Sequence, residues 1–183
     1  MNIEIVSGSP RAASVTIRVA KYLQQYLQQH YTQANVGLID VREWPLNNLE
    51  SVFNSVENTP DQLKPLSERM FAANVFIIVS PEYNGTYTAN IKNLFDHYPK
   101  QARKVFGLCT ASTGALGGAR STQSLLMLVP ALFGIASPYL LVVPTIDKKF
   151  DENNQLVDAS FEKSVQTFVS ELMWLAEATI NKK

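Results

Sequence analysis

Short, largely apolar runs alternate along this chain with longer stretches whose apolar residues recur every three or four positions. The first pattern has the period and length of strands covered on both faces, and the second that of amphipathic helices. Strands are expected at Ile3–Val6, Asn35–Ile39, Val75–Val79, Lys104–Thr110 and Tyr139–Val143. Between them lie helical patterns. Ser14–His30 carries Ile17, Ala20, Leu23, Tyr26 and Leu27 at helical spacing, and a second helix ends near Ala73, with Pro65 at its uncertain start. Further helices are expected over Ala89–His97, from Ala119 to about Leu132, and over Asp158–Ile180. Asp40–Thr59, which contains Trp44-Pro45-Leu46, reads as a long polar surface loop with at most a short helical piece. Strands alternating with helices predict one α/β domain over residues 1–183. Its doubly wound, five-stranded parallel sheet takes the order 2-1-3-4-5, with helices on both faces and a ligand crevice between strands 1 and 3.

Three loops follow the carboxyl ends of strands 1, 3 and 4, where open sheets of this kind bind ligands. The first, Ser7–Thr16, offers the donors of a helix N-terminus, the hydroxyls of Ser9, Ser14 and Thr16, and the guanidinium of Arg11. That is either a phosphate site or a helix end capped by Ser14 with Arg11 solvated. Neither a Gly-Lys-Ser/Thr nor a Gly-x-Gly-x-x-Gly pattern is present, which disfavours a nucleotide triphosphatase and a dinucleotide-holding loop. The second loop, Ser80-Pro81-Glu82-Tyr83-Asn84-Gly85-Thr86, contains two turn dipeptides but also an aromatic ring and a carboxylate that a turn alone does not require. The third, Ala111–Gly118, has three glycines with Ser112 and Thr113; by itself it reads best as a flexible connection.

Composition narrows the chemistry further. With 46% hydrophobic and 17% charged residues the chain is an ordinary globular domain. Its formal net charge of +0 provides no footprint for nucleic acid or an anionic membrane, and no apolar run has the length of a membrane span. A strand begins directly at the amino terminus without a signal-like segment, so a cytoplasmic location is expected. The lone Cys109, inside the fourth strand, reads as a buried core residue, and His30 and His97 as structural. A transition-metal site is not expected. Trp44 reads as a loop anchor and Trp174 as helix packing, and no Gly-x-Ser-x-Gly elbow is present.

Four pieces, Gly8-Ser9-x-Arg11-x-x-Ser14, Pro81–Thr86, Lys92-Asn93-x-x-Asp96 and Ser112-Thr113-Gly114-x-x-Gly117-Gly118-x-Arg120, resemble the NADPH-dependent FMN reductase family in order and spacing. The resemblance implies a flavodoxin-like fold that binds FMN. By similarity Ser9, Arg11, Ser14, Val15 and Thr16 hold the phosphate. Glu82, Tyr83, Asn84 and Gly85, within Pro81–Thr86, border the isoalloxazine, and Ser112, Thr113, Gly114 and Gly117 line its other side. Thr86 replaces the family's usual Ser. Tyr87-Thr88-Ala89-Asn90 and His97-Tyr98-Pro99 also depart from its pattern, at positions expected near the second-substrate entrance and a subunit interface.

The implied activity is hydride transfer from NADPH or NADH to bound FMN, then reduction of a small-molecule acceptor: a quinone, flavin, azo compound or metal oxyanion. The protein's part is to position rings and tune charge, and the sequence names no general acid or base. The family's assembly implies a homodimer or homotetramer. An electron carrier or a flavin-binding sensor without turnover is the alternative; the balanced charge disfavours the carrier, since carriers steer partners with acidic surfaces. A module that binds no flavin is a further alternative, disfavoured by Arg11 and Asn84-Gly85.

Overall fold

Alternate residues of the central strands enter two different cores, and this period of two sets the architecture. The computed structural model describes residues 1–44, 46 and 49–180. Its strands are β1 (Asn2–Ser7), β2 (Asn35–Asp40), β3 (Val75–Ser80), β4 (Val105–Ala111), β5 (Ile135–Ala136) and β6 (Leu141–Val143). All pair in parallel, in the order β2-β1-β3-β4-β5, with β6 also on β4. Ile3, Ile5, Val75, Ile77, Val105 and Cys109 meet Val19, Leu23 and Leu27 of α1 (Thr16–His30) and Val165, Phe168 and Leu172 of α6 (Glu162–Ile180). Val6, Phe76, Ile78, Phe106 and Leu108 form the second core with α2 (Lys64–Ala72), α3 (Ala89–His97) and α4 (Ser121–Ala131). The expected doubly wound order is therefore present, with helices on both faces.

The edge differs from expectation. In place of one strand over Tyr139–Val143, two short pieces share the flank of β4: Ile135–Ala136 pairs with Val105–Phe106, and Leu141–Val143 with Cys109–Ala111. Pro138 lies between them and has no N–H to give a continuous ladder. A short helix, α5 (Ile146–Lys149), follows without having been foreseen. Pro65 falls in the first turn of α2, where its missing N–H costs nothing.

The segment after β2 is less superficial than its polarity suggests. Val41 and Phe53 are buried, and the Phe53 ring lies 5.2 Å from His97 and 5.4 Å from Tyr98. Trp44 and Leu46 pack on the second core, as an anchor should, while Pro45 lies outside the described residues. Among the described residues, the first helical turn after β2, Asp61–Leu63, follows the segment. Trp174 overturns its expectation: it is 65% exposed, because the buried stripe of α6 runs through Leu172, Met173 and Ala176 and leaves residue 174 on the opposite face. Among the described residues, no helix is long and apolar enough to cross a membrane.

Candidate functional site

The strand register brings three loops together. Ser7 of β1 is level with Val79 of β3, Ser80 with Thr110 of β4, and Ala111 with Val143 of β6. The chain therefore leaves β1, β3 and β4 at one edge of the sheet. The loops enclose a cleft of about 280 Å³ lined by Ser9, Arg11, Ala13, Ser14, Val15, Thr16, Pro81, Glu82, Tyr83, Ala111, Ser112 and Thr113.

The first loop starts with the Gly8 N–H donating to the Val79 carbonyl (2.9 Å). Thr88, the N-cap of α3, donates its hydroxyl to the Gly8 carbonyl (2.6 Å) and accepts from the Ile91 N–H (3.3 Å). One buried side chain thus fixes the first loop to the end of the second. Ser14 does not cap α1. The N-cap is Val15, no side chain caps the helix, and the Ser14 hydroxyl is buried without a hydrogen-bond partner. A buried unsatisfied hydroxyl is costly, and an uncapped helix start leaves several N–H donors and a partial positive charge unanswered. Of the two sequence readings, the capped helix end is not what forms.

The second loop is a tight turn. The Tyr83 N–H donates to the Thr86 carbonyl (2.9 Å) and the Thr86 N–H returns to Tyr83 (3.2 Å). Asn84 (φ 52) and Gly85 (φ 84) occupy the two left-handed central positions of a type I′ geometry. Asn-Gly is the pair that accepts this backbone most readily, so the dipeptide is needed for the turn itself. Tyr83 projects its ring to the cleft, its hydroxyl buried and unpartnered, with the Arg11 guanidinium carbon 4.8 Å from the ring centroid. That cation–π contact closes the first loop on the second.

In the third loop the Ser112 N–H donates to the Val143 carbonyl (3.1 Å), and the Gly114 N–H donates to the Ser112 hydroxyl (3.0 Å). Gly117 is held at φ 59 against β6, where a Cβ would stand 2.7 Å from the Pro144 nitrogen.

Ten of the expected site residues meet around the cleft: Ser9, Arg11, Ser14, Val15, Thr16, Pro81, Glu82, Tyr83, Ser112 and Thr113. Asn84, Gly85, Thr86, Gly114 and Gly117 lie outside its lining; Thr86 instead donates its hydroxyl to Ser124 of α4 (3.0 Å). Ala13 and Ala111 join the lining without having been singled out, since alanine carries no chemical signal in a sequence. His97 and Tyr98, expected near an entrance, are buried: the Tyr98 hydroxyl meets Ser67 (2.8 Å) and His97 Nδ1 lies 2.8 Å from the Asn93 carbonyl. Burial pushes the Cys109 thiol far above its ordinary range, which makes it inert.

A larger cleft, about 400 Å³, lies between α1 and the start of α6, lined by residues such as Tyr22, Tyr26, Gln155 and Glu162. None of the expected residues lines it. The unpartnered buried hydroxyls of Ser14 and Tyr83 both belong to the smaller one, which makes that the better ligand site.

Comparison with known proteins identifies the family and the fold. The family model for NADPH-dependent FMN reductase matches residues 1–146. An FMN-dependent NADPH-azoreductase of Staphylococcus aureus (strain USA300) is 29% identical over 175 residues, covering 92% of each chain. The flavoenzyme NAD(P)H:(acceptor) oxidoreductase FerB of Paracoccus denitrificans shares the fold, with a TM-score of 0.69 at 18% identity over 96% of this chain and 97% of its own. An oxidoreductase of Corynebacterium diphtheriae does so at 0.73, with 14% identity over 97% of both chains.

Proposed function

Because the chain belongs to the NADPH-dependent FMN reductase family, we propose that the cleft at the ends of β1, β3 and β4 is its FMN site. The protein is an oxidoreductase dependent on FMN and NAD(P)H. The observation that carries the assignment of the site is the uncapped start of α1 beside the orphaned Ser14 hydroxyl. A phosphate monoester answers both needs, since its oxygens accept from that hydroxyl and from the free N–H groups.

In this reading Ser9, Arg11, Ser14, Val15 and Thr16 take the phosphate, with Arg11 supplying the fixed positive charge. Pro81, Glu82 and Tyr83 border the flavin ring on one side and Ser112 and Thr113 on the other. Asn84, Gly85 and Thr86 hold the turn that presents Tyr83, while Gly114 and Gly117 shape the third loop. FMN held there would supply the redox chemistry that links a reduced nicotinamide to an acceptor. The chain's own task is to fix the ring's orientation and balance the phosphate charge.

An azo compound, quinone, flavin or metal oxyanion is the acceptor class; the azoreductase among its relatives gives the azo substrate priority. We assign the enzyme to the cytoplasm, which the free, buried Cys109 fits. We also assign it a homodimeric or homotetrameric state, which the exposed apolar side chains of Leu116, Met127 and Phe133 favour. Sedimentation that returned only monomer at micromolar concentration would remove the assembly.

Anaerobic mixing of the FMN-loaded protein with NADPH, then with NADH, tests the activity at the flavin absorbance band. Bleaching within the mixing experiment is expected, and its rates rank the two nicotinamides. A flavin that stays oxidised with both would overturn the reductase reading. The site itself is tested by Arg11→Ala, expected to weaken FMN binding ~10–100-fold through the lost charge-assisted hydrogen bonds. Unchanged affinity would dismiss the phosphate role of Arg11.

A further inference from the structure

The first loop is also held from a side that no candidate motif touches. Arg42, two residues beyond β2, packs its guanidinium on the carboxylate of Asp40. Its Nε lies 2.9 Å from Oδ1 and 3.1 Å from Oδ2, and its Nη2 completes the pair on Oδ2. The Arg42 backbone N–H adds a bond to Oδ1 (3.0 Å). Asp40 is buried at the end of the sheet, where it pairs in register with Ser7. The anchor of the guanidinium is therefore as rigid as the strand.

The free end of that guanidinium, Nη1, donates to the main-chain carbonyls of Arg11 (3.3 Å) and Ala12 (3.1 Å). A trans peptide holds its N–H opposite its C=O. Fixing those two carbonyls therefore turns the N–H groups of Ala12 and Ala13 away from Arg42. Neither N–H makes a hydrogen bond within the described residues, and Ala13 lines the cleft. We propose that Arg42, braced by Asp40, is a positioning residue that sets the first loop in its anion-binding shape, directing main-chain donors at a phosphate monoester it does not itself touch. This rests on the reading of the cleft as a phosphate site.

Geometry, more than charge, gives Arg42 this role. A guanidinium spans a carboxylate on one side and two carbonyls on the other, whereas a lysine ammonium is a point charge that cannot do both. The test compares FMN with riboflavin, which lacks the phosphate, by quenching of flavin fluorescence on the full chain, its R42A and R42K variants. Thermal melts without flavin accompany each. The parent should bind FMN more tightly than riboflavin. Both variants should lose roughly tenfold in FMN affinity through lost preorganisation while riboflavin affinity stays at the parental value. Parental FMN affinity in R42A would overturn the proposal, as would an equal loss for both flavins, which marks a general structural role. Full recovery in R42K would reduce Arg42 to a simple cation, and if R42A does not fold, R42K alone decides. A parent that fails to distinguish FMN from riboflavin overturns the phosphate reading itself, a result separable from all of these.

Discussion

Ser14 is a side chain poorly matched to its own fold, which the proposed phosphate role would explain. Its hydroxyl is buried with no partner, so it contributes desolvation cost and no hydrogen bond. Ser14→Ala should therefore leave the melting temperature of the flavin-free chain unchanged or raise it by about 2–4 °C, while weakening FMN binding. A melt lowered by several degrees would mean that the hydroxyl already has a partner without the ligand. Most helix starts behave in the opposite way, losing stability when a capping serine is removed. The same reasoning separates Ser14 from Thr88, whose hydroxyl serves both Gly8 and Ile91 and should not be removable without loss.

Each loop is held by an element other than the two it joins. Arg42 and Thr88 pin the first, Arg11 of the first stacks on Tyr83 of the second, and the third hangs from Val143 of β6. Two glycines with positive φ distinguish local turn strain from this cross-element packing. At Gly85 (φ +84) an added Cβ meets nothing within 4 Å, so Gly85→Ala should cost only the backbone strain, about 1 kcal/mol. At Gly117 (φ +59) the same Cβ also lies 2.7 Å from the Pro144 nitrogen and 2.8 Å from the Val143 carbonyl carbon. Because that is main chain, it cannot swing aside, and Gly117→Ala should cost about 3 kcal/mol or more. Equal losses in urea unfolding would refute the packing account. The turn at Asn84-Gly85 was legible in the sequence because its chemistry is local. The burden on Gly117 was not, because it depends on a strand whose nearest residues lie more than twenty positions further along the chain.

The order of the sheet is legible for the same reason that its edge is not. Apolar runs such as Val75–Val79 and the helices between them force parallel crossovers, and the handedness of those crossovers leaves few arrangements. Which half of β4 each short edge piece chooses depends on pairing across the fold, and Pro138 marks only where a continuous ladder must break. Most of the cleft could likewise be named from loop residues, whereas the Asp40–Arg42 brace acts on carbonyls about thirty residues earlier in the chain. That brace also carries a signature in the acid stability of the whole molecule. Burial, the largest single influence, works to raise the Asp40 pKa, and hydrogen bonds from the Arg42 side chain and main chain oppose it. With the charges of Arg42 and Lys21, they hold the carboxyl below its ordinary 3.8. A carboxylate depressed in the folded state stabilises fully above its unfolded pKa, and that contribution fades as pH falls through the folded value. Asp40→Asn removes the titration while keeping the shape. The parent should therefore melt above the variant at pH 6, and the gap should shrink as pH falls below about 4, where the unfolded chain takes up the proton first and the folded carboxyl only at lower pH. Other acidic groups titrate alike in both proteins and cancel in the difference. A gap that stayed constant from pH 6 to pH 3 would show that Asp40 holds the loop by shape alone, without its charge.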